Sequence, residues 1–201
     1  MRQRWLWFGI LAVGVGNFAG FSPIAVTIPL LVRDVLHQGP VAYGATFAAA
    51  GAGGLAAAVL AGRFGSPKRR IAAIWAAWAT AALALAGVGV APDVYVVAAC
   101  GALTFFGVVY GNLLWGALMQ SAVPAGLLGR ASSVDWLFSI CLSPLGVLFA
   151  GALAGPIGVR QTILLGAGLA LVSCLVVFVP GVRDPDRPGY RPVSVQEDQG
   201  P

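Results

Sequence analysis

The side chains able to do chemistry in this chain of 201 residues are few and far apart. Two asparagines, Asn17 and Asn112, each follow a glycine and lie well inside apolar stretches. An amide in hydrocarbon needs a partner, so each either bonds a neighbouring helix, worth roughly 0.6 kcal/mol, or lines a polar path through the bilayer. Asp135 is the one acid at the edge of an apolar stretch that is not plainly in a connection or tail. At the start of a helix its carboxylate would be favoured by the dipole and could pair with Arg130; the other reading is a proton carrier, which usually sits deeper. His37 is the sole histidine, which excludes His-based triads and multi-histidine metal sites. Cys100, Cys141 and Cys174 lie within apolar stretches with no CxxC pair, and read as small apolar side chains rather than disulfide or metal ligands. No phosphate-binding GxxxxGK[ST] loop follows a strand, so ATP-driven work by this chain is not expected. An enzyme, a metal and a cofactor are all unexpected.

The elements that must position these groups are membrane spans. With 59% apolar residues, 9% charged residues and mean hydropathy +0.88, the chain belongs in lipid. Six stretches are long and apolar enough to cross: Trp5 to Val32, Val41 to Gly62, Ile71 to Val90, Val94 to Met119, Val134 to Gly155 and Gly158 to Val179. Arg2 and Arg4 precede the first as in a signal peptide, but the run far exceeds a signal core of about 7 to 15 residues and reads as a retained helix. Connections alternate sides. One side receives Arg2, Arg4, Arg63, Lys68, Arg69, Arg70, Arg130, Arg183, Arg187 and Arg191; the other receives only Arg33 and Arg160, so the 12 basic residues divide 10 to 2. By the positive-inside rule both termini are cytoplasmic, in a bacterial inner membrane protein. The net charge of +5 is thereby explained by topology, and nucleic acid is not an expected partner.

Small residues recur at every fourth position in the second span (Thr46, Ala50, Gly54, Ala58, Gly62), which predicts a helix-contact face. Gly16 and Gly20, Gly107 and Gly111, and Gly151 and Gly155 repeat that spacing elsewhere. Pro23 and Pro29 interrupt the first span and Pro144 the fifth. Residues 1–180 form one six-helix domain, and the proline-rich stretch 181–201 reads as a disordered cytoplasmic tail. Division near Ala91 gives two trios, about 5–90 and 94–180, which must run oppositely through the membrane. The expected fold is an all-α membrane protein of two inverted three-helix repeats. Asn17 and Asn112 fall in the first helix of each trio, 95 residues apart, against 89 between the helix starts (94 − 5).

Three segments carry a family resemblance. The connection Gly62-Arg63-Phe64-Gly65-Ser66-Pro67-Lys68-Arg69-Arg70 resembles the basic loop between the second and third helices of each half of major facilitator superfamily transporters, without the acid that usually precedes the basic cluster. Gln120-Ser121-Ala122-Val123-Pro124 followed by Gly129-Arg130-Ala131-Ser132-Ser133 is similar to the link between the tenth and eleventh helices in the branch that includes enterobactin exporters and macrolide-efflux proteins. Pro29-Leu30-Leu31-Val32-Arg33-Asp34 is similar to the end of that branch's seventh helix. The resemblance covers nearly all of residues 5–180, and is to the C-terminal six-helix half.

It implies half of a secondary efflux transporter for drug- or siderophore-like molecules, a proton- or ion-coupled antiporter working by alternating access. Asn17 and Asn112 would then face the cargo cavity, Arg63, Lys68, Arg69, Arg70 and Arg130 would gate or simply fix topology, and Asp135 would be a candidate for proton coupling. A second six-helix half, as a separate chain or a parallel homodimer, is the implied partner. The competing expectation is a non-transporting helical membrane protein or a truncated or split-gene remnant. The missing loop acid and the lack of a deep carboxylate favour that alternative.

Overall fold

A computed structural model describes residues 4–123, 125–179 and 182. Arg2, Pro124, Arg183, Arg187 and Arg191 lie outside the described residues, as does the expected tail except Val182, which is buried against the aromatic core.

Among the described residues, six helices are long and apolar enough to cross a membrane: α1 (Trp7–Val35), α2 (Pro40–Phe64), α3 (Arg70–Val90), α4 (Val94–Ala122), α5 (Gly126–Ala154) and α6 (Val159–Phe178). The shortest, with 20 residues, rises about 30 Å, the thickness of a hydrocarbon core. No strand occurs among the described residues. The chain is an integral membrane protein.

The ends of these helices follow from local chemistry. Asp93 caps α4: its Oδ1 accepts from the backbone N–H groups of Tyr95 (2.9 Å) and Val96 (3.0 Å). Pro40 opens α2, where a missing N–H costs nothing, and Gly65 ends it at φ 64°, a left-handed conformation that suits glycine. Arg160, at the start of α6, donates to the carbonyl of Gly89 (3.0 Å) near the end of α3 and satisfies one of its orphan acceptors.

Helix α1 is broken where its prolines fall. An α-helix over Arg4–Gly16 gives way to a π-helical turn at Asn17–Phe21, resumes over Ile24–Leu30 and ends in a second π-turn at Leu31–Val35. The Ser22 N–H reaches back five residues to Asn17 O (2.9 Å), and Pro23 has no N–H. The carbonyls of Phe18 and Ala19 thereby lose their usual donors four residues on. They face glycines instead: a Cβ on Gly146 of α5 would collide with Phe18 O, and one on Gly166 of α6 with Ala19 O. Backbone approach of this kind, with Cα–H groups meeting freed carbonyls, is available only to glycine.

The helices pack in two similar groups. α2 and α3 lie against α4, α5 and α6 lie against α1, and α3 meets α6 between them. Gly53 of α2 fits against the Ala102 carbonyl of α4, and Gly107 of α4 against the Ala77 carbonyl of α3.

Three sequence expectations change. The contact stripe of α2 keeps Thr46, Ala50 and Gly54 and adds Gly53 and Ala57, while Ala58 and Gly62 are exposed. A strict spacing of four turns 40° per step, so Gly62 ends about 160° from Thr46, and the stripe returns to the interface by a step of three. A Cβ placed on Gly151 or Gly155 would meet nothing within 4 Å among the described residues, so neither glycine marks a close helix contact. The fifth helix begins at Ala125, not Val134, so Arg130 and Asp135 are inside it.

Candidate functional site

Four helices enclose a cavity of about 20 Å³ whose polar lining comes from Asn17 on α1, Trp75 and Trp78 on α3, Asn112 on α4, and Ser173 and Cys174 on α6. Both asparagines line this one cavity. Asn17 lies 13 residues from the start of its helix at Arg4 (17 − 4), and Asn112 lies 10 from the end of its helix at Ala122 (122 − 112). Both depths are measured from one side, because Arg70 Nη1 at the start of α3 donates to Ser121 Oγ at the end of α4 (2.8 Å). Asn17 is half-buried, whereas Asn112 also reaches the outer surface of the bundle.

Indoles organise the site. Trp78 Nε1 donates to Asn112 Oδ1 at 3.3 Å, and Trp115 Nε1 donates to Asp135 Oδ1 at 3.3 Å. Trp75 meets Trp78 edge-on with centroids 5.2 Å apart, and Trp78 lies 6.0 Å from Trp115, so three rings connect the cavity to the acid on α5. Glycines make the room: a Cβ at Gly111 would strike the Trp78 indole, and one at Gly9 the Trp115 ring. Trp75 Nε1 is buried without a hydrogen-bond partner among the described residues. The Ser173 hydroxyl donates to the Ala170 carbonyl (2.7 Å), which leaves its lone pairs available.

Asp135 is not a helix cap. It sits 10 residues into its helix (135 − 125), and five residues of helix place Arg130 about 140° around the axis, so the expected pair does not form and the carboxylate bonds Trp115 instead. Arg130 is exposed. Of the basic connection, Arg63, Lys68 and Arg69 are exposed and Arg70 holds Ser121, within the second resemblance segment. The ion pair seen among the described residues is Arg33 with Asp34, Nη2 to Oδ2 at 3.0 Å. Two larger surface pockets, of about 260 and 430 Å³, flank the α1–α2 connection; Arg33 and Tyr43 border the first, Thr46 and Tyr95 the second.

The tryptophans and Ser173 escape a search for titratable groups. The signal that would have found them is Trp75 and Trp78 three residues apart, two indole donors on one face of an otherwise Ala-rich helix.

No family model matches the chain, and no solved structure matches it. It is similar to macrolide efflux protein A of Streptococcus pyogenes, 26% identical over 186 residues, which are 92% of this chain and 45% of that protein. It is also similar to the multidrug efflux pump Tap of Mycolicibacterium fortuitum, 34% identical over 83 residues, covering 40% of this chain and 20% of the pump. The chain spans less than half the length of these curated relatives, so the likeness is that of one six-helix membrane unit to part of a longer efflux protein.

Proposed function

We propose that this chain is a six-helix unit of a small-molecule efflux transporter of the major facilitator type, exporting apolar drug-like cargo by alternating access together with a second six-helix unit. The observation that carries this reading is the alignment of 92% of the chain with a macrolide efflux protein of about twice its length. Helix pairing supports the inverted-repeat architecture: exchanging α1 with α4, α2 with α5 and α3 with α6 maps the main helix pairings onto one another, except that of α5 with α6, which α2 and α3 do not match. The 10-to-2 division of basic residues supports a single orientation with both termini in the cytoplasm, and hence a parallel partner.

Within that reading each candidate residue has a role. Asn112, exposed on the bundle surface and held by Trp78, is the polar contact offered to cargo, and Asn17 supports it from inside. The cavity between them is far below the roughly 300 Å³ of a drug site, so cargo lies against the bundle, where the second unit completes the chamber. Asp135, inside α5 and bonded to Trp115, is the carboxylate placed to couple proton movement to the aromatic cluster. Arg63, Lys68 and Arg69 anchor orientation, and Arg70 couples the α2–α3 connection to the end of α4.

The test is macrolide accumulation in drug-sensitive bacteria producing the chain alone or with a candidate second unit, comparing the parent with Asn17→Leu and Asn112→Leu. Export falling about threefold in each variant at unchanged membrane levels, the factor that ~0.6 kcal/mol gives, is the expected result. Accumulation that the parent chain never lowers, alone or paired, overturns the transport reading. Insertion reporters after Ser66 and Asp93 should label opposite compartments.

A further inference from the structure

We propose that the cavity between α1, α3, α4 and α6 is a binding site for a single water molecule, which accepts a hydrogen bond from Trp75 Nε1 and joins the indole to Asn17, Asn112 and Ser173. The site stands apart from the transport reading and rests on three observations.

The first is a donor with no acceptor. Trp75 is 3% exposed, it lines the cavity, and its Nε1 has no hydrogen-bond partner among the described residues. Buried N–H groups are nearly always satisfied by protein or by ordered water, and the indole nitrogen can only donate. The second is size. A cavity of about 20 Å³ exceeds the 10–15 Å³ or so that one water needs but leaves no room for a hydrated ion or cargo. The third is complementarity. Trp78 occupies Asn112 Oδ1, which leaves the Asn112 amide hydrogens to donate; Ser173 spends its proton on Ala170 and keeps lone pairs to accept. Asn17 offers both kinds of group. A water has two protons and two lone pairs, so this set can saturate it.

Other occupants fit less well. A cation would face the Trp75 donor, and an anion would find no positively charged side chain in the lining. The place is also where a bound water has mechanical use. The π-turn of α1 begins at Asn17, so the wall of the site is the segment where that helix leaves regular geometry. A water bridge can break and re-form as this segment shifts against α3, α4 and α6, which a direct side-chain bond of fixed length cannot do.

The test is magnetisation transfer from water to indole N–H protons in the full chain, labelled with 15N-tryptophan and held in lipid bilayers, with Trp75→Phe assigning the resonance among the six tryptophans. We expect transfer to the Trp75 proton despite its burial. Asn17→Leu combined with Ser173→Ala, which removes two water partners and fills the space, should abolish that transfer while leaving the Trp78 resonance in place. A Trp75 proton that shows no transfer in the parent chain overturns the proposal without recourse to any variant. Transfer that persists in the filled variant overturns it as well, because the water would then be reaching the indole from elsewhere.

Discussion

Helices α1 and α4 are each the helix against which two others lie, yet one is broken and the other regular. α4 runs 29 residues from the Asp93 cap to Ala122 without a break, and α2 and α3 approach its backbone closely at Ala102 and Gly107. α1 contains two π-turns and two internal prolines, and its Phe18 and Ala19 carbonyls are directed at Gly146 and Gly166 rather than at donors of their own helix. Both helices pack through glycines against bare backbone. The difference is that α4 brings a complete hydrogen-bond ladder to its partners, whereas α1 needs its partners to cover what its own ladder lacks. α1 is therefore the softer member of the pair, and bending motions should concentrate there.

Gly53→Ala should have the largest effect, because its Cβ would strike the Ala102 carbonyl in the rigid ladder of α4; a loss of about 3 kcal/mol is expected in detergent unfolding, the upper end for overpacking. Gly146→Ala puts a methyl against Phe18 O in the yielding π-turn and should cost about 1 kcal/mol, with Gly151→Ala as the unchanged control. Equal losses at Gly53 and Gly146 would break the distinction between the two helices. Next in size, Asp93→Ala removes the acceptor for two N–H groups at the start of α4 and should lower stability by about 1 kcal/mol in the same assay, without altering amide exchange in α1. The smallest stability change, a few tenths of a kcal/mol of either sign, is expected for Pro23→Ala, which returns a donor to Ala19. Its signature is dynamic: slower amide exchange over residues 19–24 sharpens the comparison, and unchanged exchange would show that the π-turn is set by tertiary packing.

The spans were legible in the sequence because hydropathy sums over some 20 residues and tolerates local exceptions. The start of α5 was not, since Gly126, Gly129, Arg130, Ser132 and Ser133 dilute the apolar average, although Ala125, Leu127 and Leu128 favour helix and Ser133 Oγ bonds Gly129 O within it (2.8 Å). Asn17 and Asn112 could be paired from rarity and helix position alone. Their neighbours could not, because an indole reads as apolar bulk until a third helix shows where its nitrogen points. The face of α2 was half legible: the small residues were visible, but a spacing of four drifts around the helix, and only the line of α4 decides where it is corrected.

The carbonyls that α1 leaves to Gly146 and Gly166 also bear on the order of assembly during synthesis. Phe18 precedes Gly146 by 128 residues (146 − 18), so at about 5–20 residues per second α1 would wait roughly 6 to 26 s for the residue that covers its Phe18 carbonyl. During that interval water in the translocation channel, or a companion protein beside it, must serve the two acceptors in place of α5 and α6. Among these six helices the earliest made is thus housed only when the last two arrive, and a ribosome stalled between α4 and α5 would leave it waiting with its backbone uncovered.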